Sequence, residues 1–245
     1  MTAKKEPLAY RMSPRNLDEF VGQEHIIGHD KLLNRMIKAD KISSIILFGP
    51  PGTGKTSIAR IIANTTKAAF FKLNAVTAGV KDIKQVVEET KNAFLNPNGK
   101  SVLFIDEIHR FNKAQQDALL PHVEDGTVVL IGATTENPFF EVNKALISRS
   151  TVFMLEPLKK EHIIKIINMA VTDKDRGLGN LNIDIDEGSV SLLADMSGGD
   201  ARIALNALEL AVLTTDMNEV GVYTITTDVI MDCIQKKVVR FDKSS

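Results

Sequence analysis

Eight consecutive residues, Gly49, Pro50, Pro51, Gly52, Thr53, Gly54, Lys55 and Thr56, follow the spacing of a phosphate-binding loop. A run that reads as a short buried strand, Ser44-Ile-Ile-Leu-Phe48, precedes them and a helical pattern, Ser57 to Ala63, follows. Glycines at these positions let the backbone curl so that its N–H groups converge on an anion. The start of the helix adds partial positive charge at the same place. Lys55 is placed to reach the β- and γ-phosphates of a nucleoside triphosphate, and the Thr56 hydroxyl to ligate Mg²⁺.

Further residues supply the rest of a hydrolytic site. Val102-Leu-Phe-Ile-Asp106-Glu107 ends a buried strand with two carboxylates. In an open parallel sheet, ligands bind beyond the carboxyl ends of the strands, which directs both acids at the phosphate loop. Asp106 would stand in the Mg²⁺ shell and Glu107 would polarise the attacking water. Gly132-Ala-Thr-Thr135 follows the next strand; Thr135 is favoured over Thr134 as the hydroxyl that senses a γ-phosphate. Asn74 closes another strand, where its amide could hold Glu107 away from water until ligand binds. Arg149, between a short helix and a strand, could cover its own site or a neighbour's; an arginine supplied in trans stabilises charge on a transferred phosphoryl group. Arg202 falls in the first turn of a helix capped by Asp200, where the dipole disfavours a cation and an anionic partner such as a nucleotide phosphate would compensate.

Alternating strands and helices must position these residues. Strands are expected at 44–48, 69–73, 102–105, 128–131 and 152–155. Helices are expected at 30–39 (capped by Asp30), 57–63, 80–95, 112–125 and 141–148, and Asn96 to Gly99 as a turn. That order predicts right-handed crossovers and a parallel five-stranded α/β sheet. Past Pro157 only helices are read, at about 160–172, 186–197, 200–216 and 226–237, with a loop at 176–180. Two domains follow: 1–157, nucleotide-binding, and 158–245, a small all-α lid. Residues 1–9 read as loose. The adenine pocket is expected between the domains, near Val21, Gly22 and Ile27.

The 245 residues carry a formal net charge of −1, so no overall basic field announces nucleic acid. Any DNA contact must be local, and Lys81, Lys84, Arg110 and Lys113 are the candidates. A single cysteine excludes an intrachain disulfide or a Cys-cluster metal site, and the five histidines show no paired metal spacing. With no signal peptide and no apolar run of membrane-spanning length, a cytosolic protein is expected, with no membrane partner.

In this order the motifs resemble the AAA+ ATPases: phosphate loop, Asp-Glu strand, first sensor, arginine finger, and second sensor on a helical lid. Ser148-Arg149-Ser150 resembles the Ser-Arg-Cys of clamp-loader subunits, with Ser in place of Cys. Longer strings resemble the RarA/MgsA group, related to Werner-helicase-interacting protein. They are Arg11 to Gln23, His109 to Ala118, Pro121 to Gly126 and Ile131 to Pro138. The resemblance implies a DNA-dependent ATPase using ATP and Mg²⁺ at stalled or gapped replication forks. It also implies homo-oligomers in the full-length form, a single-stranded-DNA-binding protein as partner, and a nucleoid-associated place in the cytoplasm. In that family the chain continues beyond Ser245 into a tetramerisation domain, so this sequence reads as the AAA+ core. Two alternatives stay open: a Holliday-junction motor resembling RuvB, which shares the Asp106-Glu-Ile-His109 style of motif, and a nucleotide-gated binding module with negligible hydrolysis.

Overall fold

The computed structural model describes residues 6–92, 94, 96 and 98–241. The expected loose start at 1–5, and Ala93, Leu95 and Pro97 of the expected helix end and turn, lie outside the described residues. The chain folds as two compact units, Pro14–Glu156, and Met1–Ser13 together with Pro157–Ser245.

In the first unit, β1 (Ile45–Phe48), β2 (Ala69–Asn74), β3 (Ser101–Asp106), β4 (Val129–Thr134) and β5 (Thr151–Met154) form one sheet in the order β2-β3-β4-β1-β5. All four pairings are parallel. The central strands are continuous apolar runs because both faces are covered. Ile45, Leu47, Phe104 and Ile131 pack on one face with Ile58 and Ile62 of the helix Lys55–Thr65. Ile46, Leu103, Ile105 and Leu130 pack on the other with Ile83 and Val86 of the helix Val80–Thr90.

Register places the chemistry. Phe48 lies opposite Thr134, Ile105 opposite Gly132, and Asn74 opposite Asp106. The chain therefore leaves β1, β2, β3 and β4 at one edge of the sheet. Thr151 lies opposite Ile45, so the chain enters β5 at the other edge.

Several helices depart from expectation for local reasons. The run expected over 112–125 breaks into Lys113–Asp117 and Leu120–Glu124, with Pro121, which lacks an N–H, in the first turn of the second piece. Asn137 and Asn143 cap two short helices, Pro138–Glu141 and Lys144–Ile147, where one was expected. The helix from Val80 stops at Thr90, so Phe94 leaves its apolar stripe and stands 96% exposed. Leu32–Lys38 is preceded by Lys31 rather than capped by Asp30, whose carboxylate meets His29 instead.

The second unit packs the helices Lys160–Thr172, Glu187–Met196, Ala201–Thr214 and Thr227–Phe241. Two features correct the sequence reading. Ile183–Ile185 and Tyr223–Ile225 pair as a two-stranded parallel ladder within a lid expected to be all helix. The alternation of apolar and polar residues through Leu181-Asn-Ile-Asp-Ile-Asp186 is the period-2 signal that sequence reasoning passed over. The N-terminal segment, expected to be loose and to belong to the nucleotide-binding domain, forms the helix Leu8–Arg11 and joins this unit. Leu8 is fully buried among Ala204, Leu205 and Leu208, a gain of about 1.5–3 kcal/mol over exposure. Arg11 pairs with Glu209 at 2.9 Å, and Glu209 also accepts the Leu8 N–H.

Asp186 caps the helix Glu187–Met196 by accepting the Ser189 N–H, and that bond holds its carboxyl below the ordinary value of 3.8. A lowered folded pKa means that this cap contributes fully above the ordinary value and is lost as pH falls through the lowered one.

Candidate nucleotide-binding site

The loop Gly49–Gly54 joins β1 to the helix Lys55–Thr65. Gly49, Gly52 and Gly54 have φ of 155°, 72° and 102°, conformations open to glycine and strained for other residues. A Cβ on Gly49 would lie 2.4 Å from the Leu155 carbonyl oxygen, and one on Gly54 2.5 Å from the Phe20 ring. The loop is thus fixed between the end of β5 and the segment before Gly22. Lys55, 8% exposed, donates to the carbonyls of Gly49 at 2.7 Å and Pro50 at 2.8 Å. Thr53 donates its hydroxyl to Pro50 as well. With those carbonyls engaged, the loop keeps N–H groups for an anion at a helix start. Gly54→Ala combines positive φ with the Phe20 clash; strain of about 1–3 kcal/mol should weaken ADP binding roughly 10- to 100-fold in an equilibrium titration.

Gly49 N–H donates to the Thr134 carbonyl at 3.1 Å, which locks the loop's start to the end of β4. Asp106 ends β3 two strands from β1, with Lys72 of β2 at 3.8 Å. Glu107 follows in the left-handed region, φ 55°, which turns its side chain out of the strand's path. Its Oε2 lies 3.4 Å from the Thr135 hydroxyl and 3.4 Å from His109 Nδ1. His109 Nδ1 also meets the Thr134 hydroxyl at 2.9 Å. Thr134 is fully buried inside β4 and Thr135 is not, so Thr135 is the threonine that faces Glu107.

One expected contact is absent. No hydrogen bond joins Asn74 to Glu107. The Asn74 side-chain oxygen Oδ1 accepts the Val76 N–H at 2.9 Å, a short-range turn bond that sets the orientation of the amide. His109, which sequence reasoning passed over as a site residue, stands with Glu107 instead. Its signal was its place two residues after Glu107, in the short turn Ile108–Arg110.

Thr56 lies in the first turn of its helix, half-buried. A threonine hydroxyl and the Asp106 carboxylate are hard oxygen donors that fit Mg²⁺, which takes few protein ligands and completes its shell with phosphate oxygens and water. Among the described residues no three His, Cys, Asp or Glu side chains gather as a metal cage.

Arg149 stands at the opposite edge of the sheet. It lies two residues before Thr151, whose partner Ile45 begins β1, whereas the phosphate loop begins after Phe48. The length of β1 alone separates the two by about 13 Å. Arg149 Nη2 pairs with Glu124 at 2.7 Å and Nη1 donates to the Ala145 carbonyl at 2.9 Å. A cavity of about 340 Å³ opens beside it, lined by Ser43, Ser44, Glu124 and Val128.

The segment read for adenine begins the unit: Val21 is half-buried, Gly22 has φ 85°, and Ile27 is buried in the core under the sheet. In the second unit Asp200 accepts the Arg202 and Ile203 N–H groups and caps its helix. The Arg202 guanidinium is 62% exposed and only 3.4 Å from Asp200, a pair worth little at such exposure. Lys81, Lys84, Arg110 and Lys113 are all exposed.

Residues 45–158 match the model of the ATPase family associated with various cellular activities, AAA, and residues 179–245 match the AAA C-terminal domain. The chain belongs to the AAA ATPase family. Within this family it is similar to "Replication-associated recombination protein A" of Bacillus subtilis, 46% identical over 238 residues, covering 97% of this chain and 55% of that protein. The Escherichia coli K12 protein of that name is 43% identical over 237 residues, covering 97% and 53%. "ATPase WRNIP1" of Dictyostelium discoideum is 44% identical over 206 residues, covering 84% and 23%. The chain therefore spans about half the length of these two bacterial relatives. Among solved structures, the Thermotoga maritima RuvB Holliday-junction branch-migration motor matches with TM-score 0.71 at 28% identity, covering 92% of this chain and 73% of that one. The AAA fold implied by the resemblance of the ordered motifs is thus the observed one. The RarA/MgsA resemblance agrees with the relatives, and RuvB agrees in fold.

Proposed function

We propose that this chain is the ATP-hydrolysing core of a protein that acts on DNA in replication-associated recombination and repair. One observation carries the enzymatic part: the phosphate loop, Asp106, Glu107 and Thr135 share one edge of the sheet, with Glu107 held between Thr135 and His109. In this reading the loop N–H groups and Lys55 hold the β- and γ-phosphates of ATP, and Val21 and Gly22 border the base. Thr56 and Asp106 hold Mg²⁺, which supplies neutralising charge on the phosphate oxygens. Glu107 takes the proton of the attacking water, and Thr135 fixes Glu107 and reads the γ-phosphate.

Arg149 belongs to a neighbour's site. Its place at the far edge from its own phosphate loop supports supply from a second copy of the chain; in this reading the active form is a homo-oligomer and an isolated copy binds ATP but turns it over slowly. The DNA part rests on the names of the relatives and on the four exposed cations, and it extends to single-stranded or gapped, fork-like DNA, to a single-stranded-DNA-binding protein as partner, and to a nucleoid-associated place in the cytoplasm. No helix among the described residues is long and apolar enough to cross a membrane.

The test is ATP turnover of the oligomerising protein with and without single-stranded or gapped DNA. Added DNA should raise turnover several-fold, an effect that fades with salt because phosphate contacts release counterions. Turnover indifferent to both DNAs would remove the DNA part and leave the nucleotide site standing.

A further inference from the structure

Gln23 is 4% exposed and has left-handed backbone, φ 60°. Its side chain makes a two-point pair with the backbone of Glu156. Gln23 Nε2 donates to the Glu156 carbonyl at 2.7 Å, and the Glu156 N–H donates to Gln23 Oε1 at 3.0 Å. A primary amide carries a donor and an acceptor side by side, so it pairs with one extended residue as a neighbouring strand would. The same nitrogen lies 3.3 Å from the Thr53 carbonyl in the phosphate loop. One buried side chain thus joins the phosphate loop to Glu156, the last residue of its unit before the chain passes to Pro157. Neighbouring contacts repeat the link: Leu155 N–H donates to Phe48 at 2.7 Å, and His25 Nε2 meets the Met154 carbonyl at 2.8 Å.

We propose that Gln23 is a positioning residue through which the phosphate loop sets the hold on Glu156, so that filling the loop with nucleotide is reported to the chain leaving the unit. A loop that closes its N–H groups on phosphate moves or stiffens the Thr53 carbonyl. That carbonyl shares an amide with Glu156, so the change reaches the strand end without crossing the sheet. The inference rests on the nucleotide reading of the site and adds to it a route for the signal. Methionine is the informative replacement: it keeps the length and apolar bulk of glutamine and lacks both the donor and the acceptor.

The experiment is backbone hydrogen exchange of the chain and of Gln23→Met, each with and without saturating Mg²⁺ and ADP. In the unaltered chain, ADP should slow exchange at 49–56 and, by about tenfold, at 153–160. In the variant, ADP should still slow 49–56, with the response at 153–160 lost. An ADP response at 153–160 in Gln23→Met equal to that of the unaltered chain overturns the proposal. So does an unaltered chain that protects 49–56 while 153–160 stays unmoved, a result that leaves the nucleotide reading intact and needs no folded variant. Absence of protection at 49–56 in the unaltered chain overturns the nucleotide reading and the inference with it.

Discussion

Arg149→Ala should lower ATP turnover of the assembled protein by about 10³- to 10⁵-fold, the range associated with an arginine that stabilises charge on a transferred phosphoryl group. ADP binding to the same variant should stay within about twofold, because Arg149 lies at the opposite sheet edge from its own loop. Stability should hardly change. The Arg149–Glu124 pair is more than two-fifths exposed on both sides, and exposed pairs contribute roughly 0–1 kcal/mol. Phosphate release, ADP titration and a urea unfolding curve measured together separate these three effects. A variant that loses ADP binding in proportion to turnover would place the arginine at its own site and contradict the register of β1 and β5.

Glu107→Gln should lower turnover by about 10²- to 10⁴-fold, the usual contribution of a positioned general base. The amide keeps the size of the carboxylate and can still accept from Thr135, so the geometry survives while the charge that draws a proton from water is gone. ATP should then bind and stay bound, which makes this variant the one in which a trapped ATP state is visible. Steady-state phosphate release checks it, and turnover that survives the change would remove Glu107 from the role of base. The left-handed backbone of Glu107, φ 55°, agrees with a residue held for chemistry, since such conformations store strain at functional sites.

The parts of the site that the sequence announced are those whose requirement is local. Gly49 and Gly54 are needed because their φ values and close neighbours exclude a side chain, and a short run of glycines around a lysine shows that directly. Asp106 and Glu107 are legible because a buried apolar strand has no other reason to end in two acids. The parallel sheet follows from alternation of strand and helix, and its register then brings the acids and the loop to one edge without further information.

Residues whose partners are distant in sequence stayed hidden. His109 finds Thr134 25 positions away, and Gln23 finds Glu156 133 positions away. Gln23 has no spacing that marks it, and His109 only its place two residues after Glu107. Arg11 and Glu209 are 198 positions apart, which is why the N-terminal segment was assigned to the wrong unit. Asn74 shows the reverse: the residue sits where a long-range bond could form, and its amide is oriented by a turn bond to a backbone N–H two residues on. Arg149 was readable as a candidate arginine finger, and its distance from its own phosphate loop depends on the pairing of β5 with β1, which no local pattern carries.

The account turns on the claim that each site is completed by a second copy. Two inactive proteins test it most directly: Lys55→Ala, which lacks the phosphate lysine but keeps its arginine, and Arg149→Ala, which keeps its phosphate loop. Each should hydrolyse ATP at background alone. Mixed at concentrations where the protein self-associates, they should recover a substantial part of the turnover of the unaltered chain, because mixed contacts unite an intact loop with an intact arginine. A mixture of associated subunits that stays at background would contradict an arginine supplied by the neighbour.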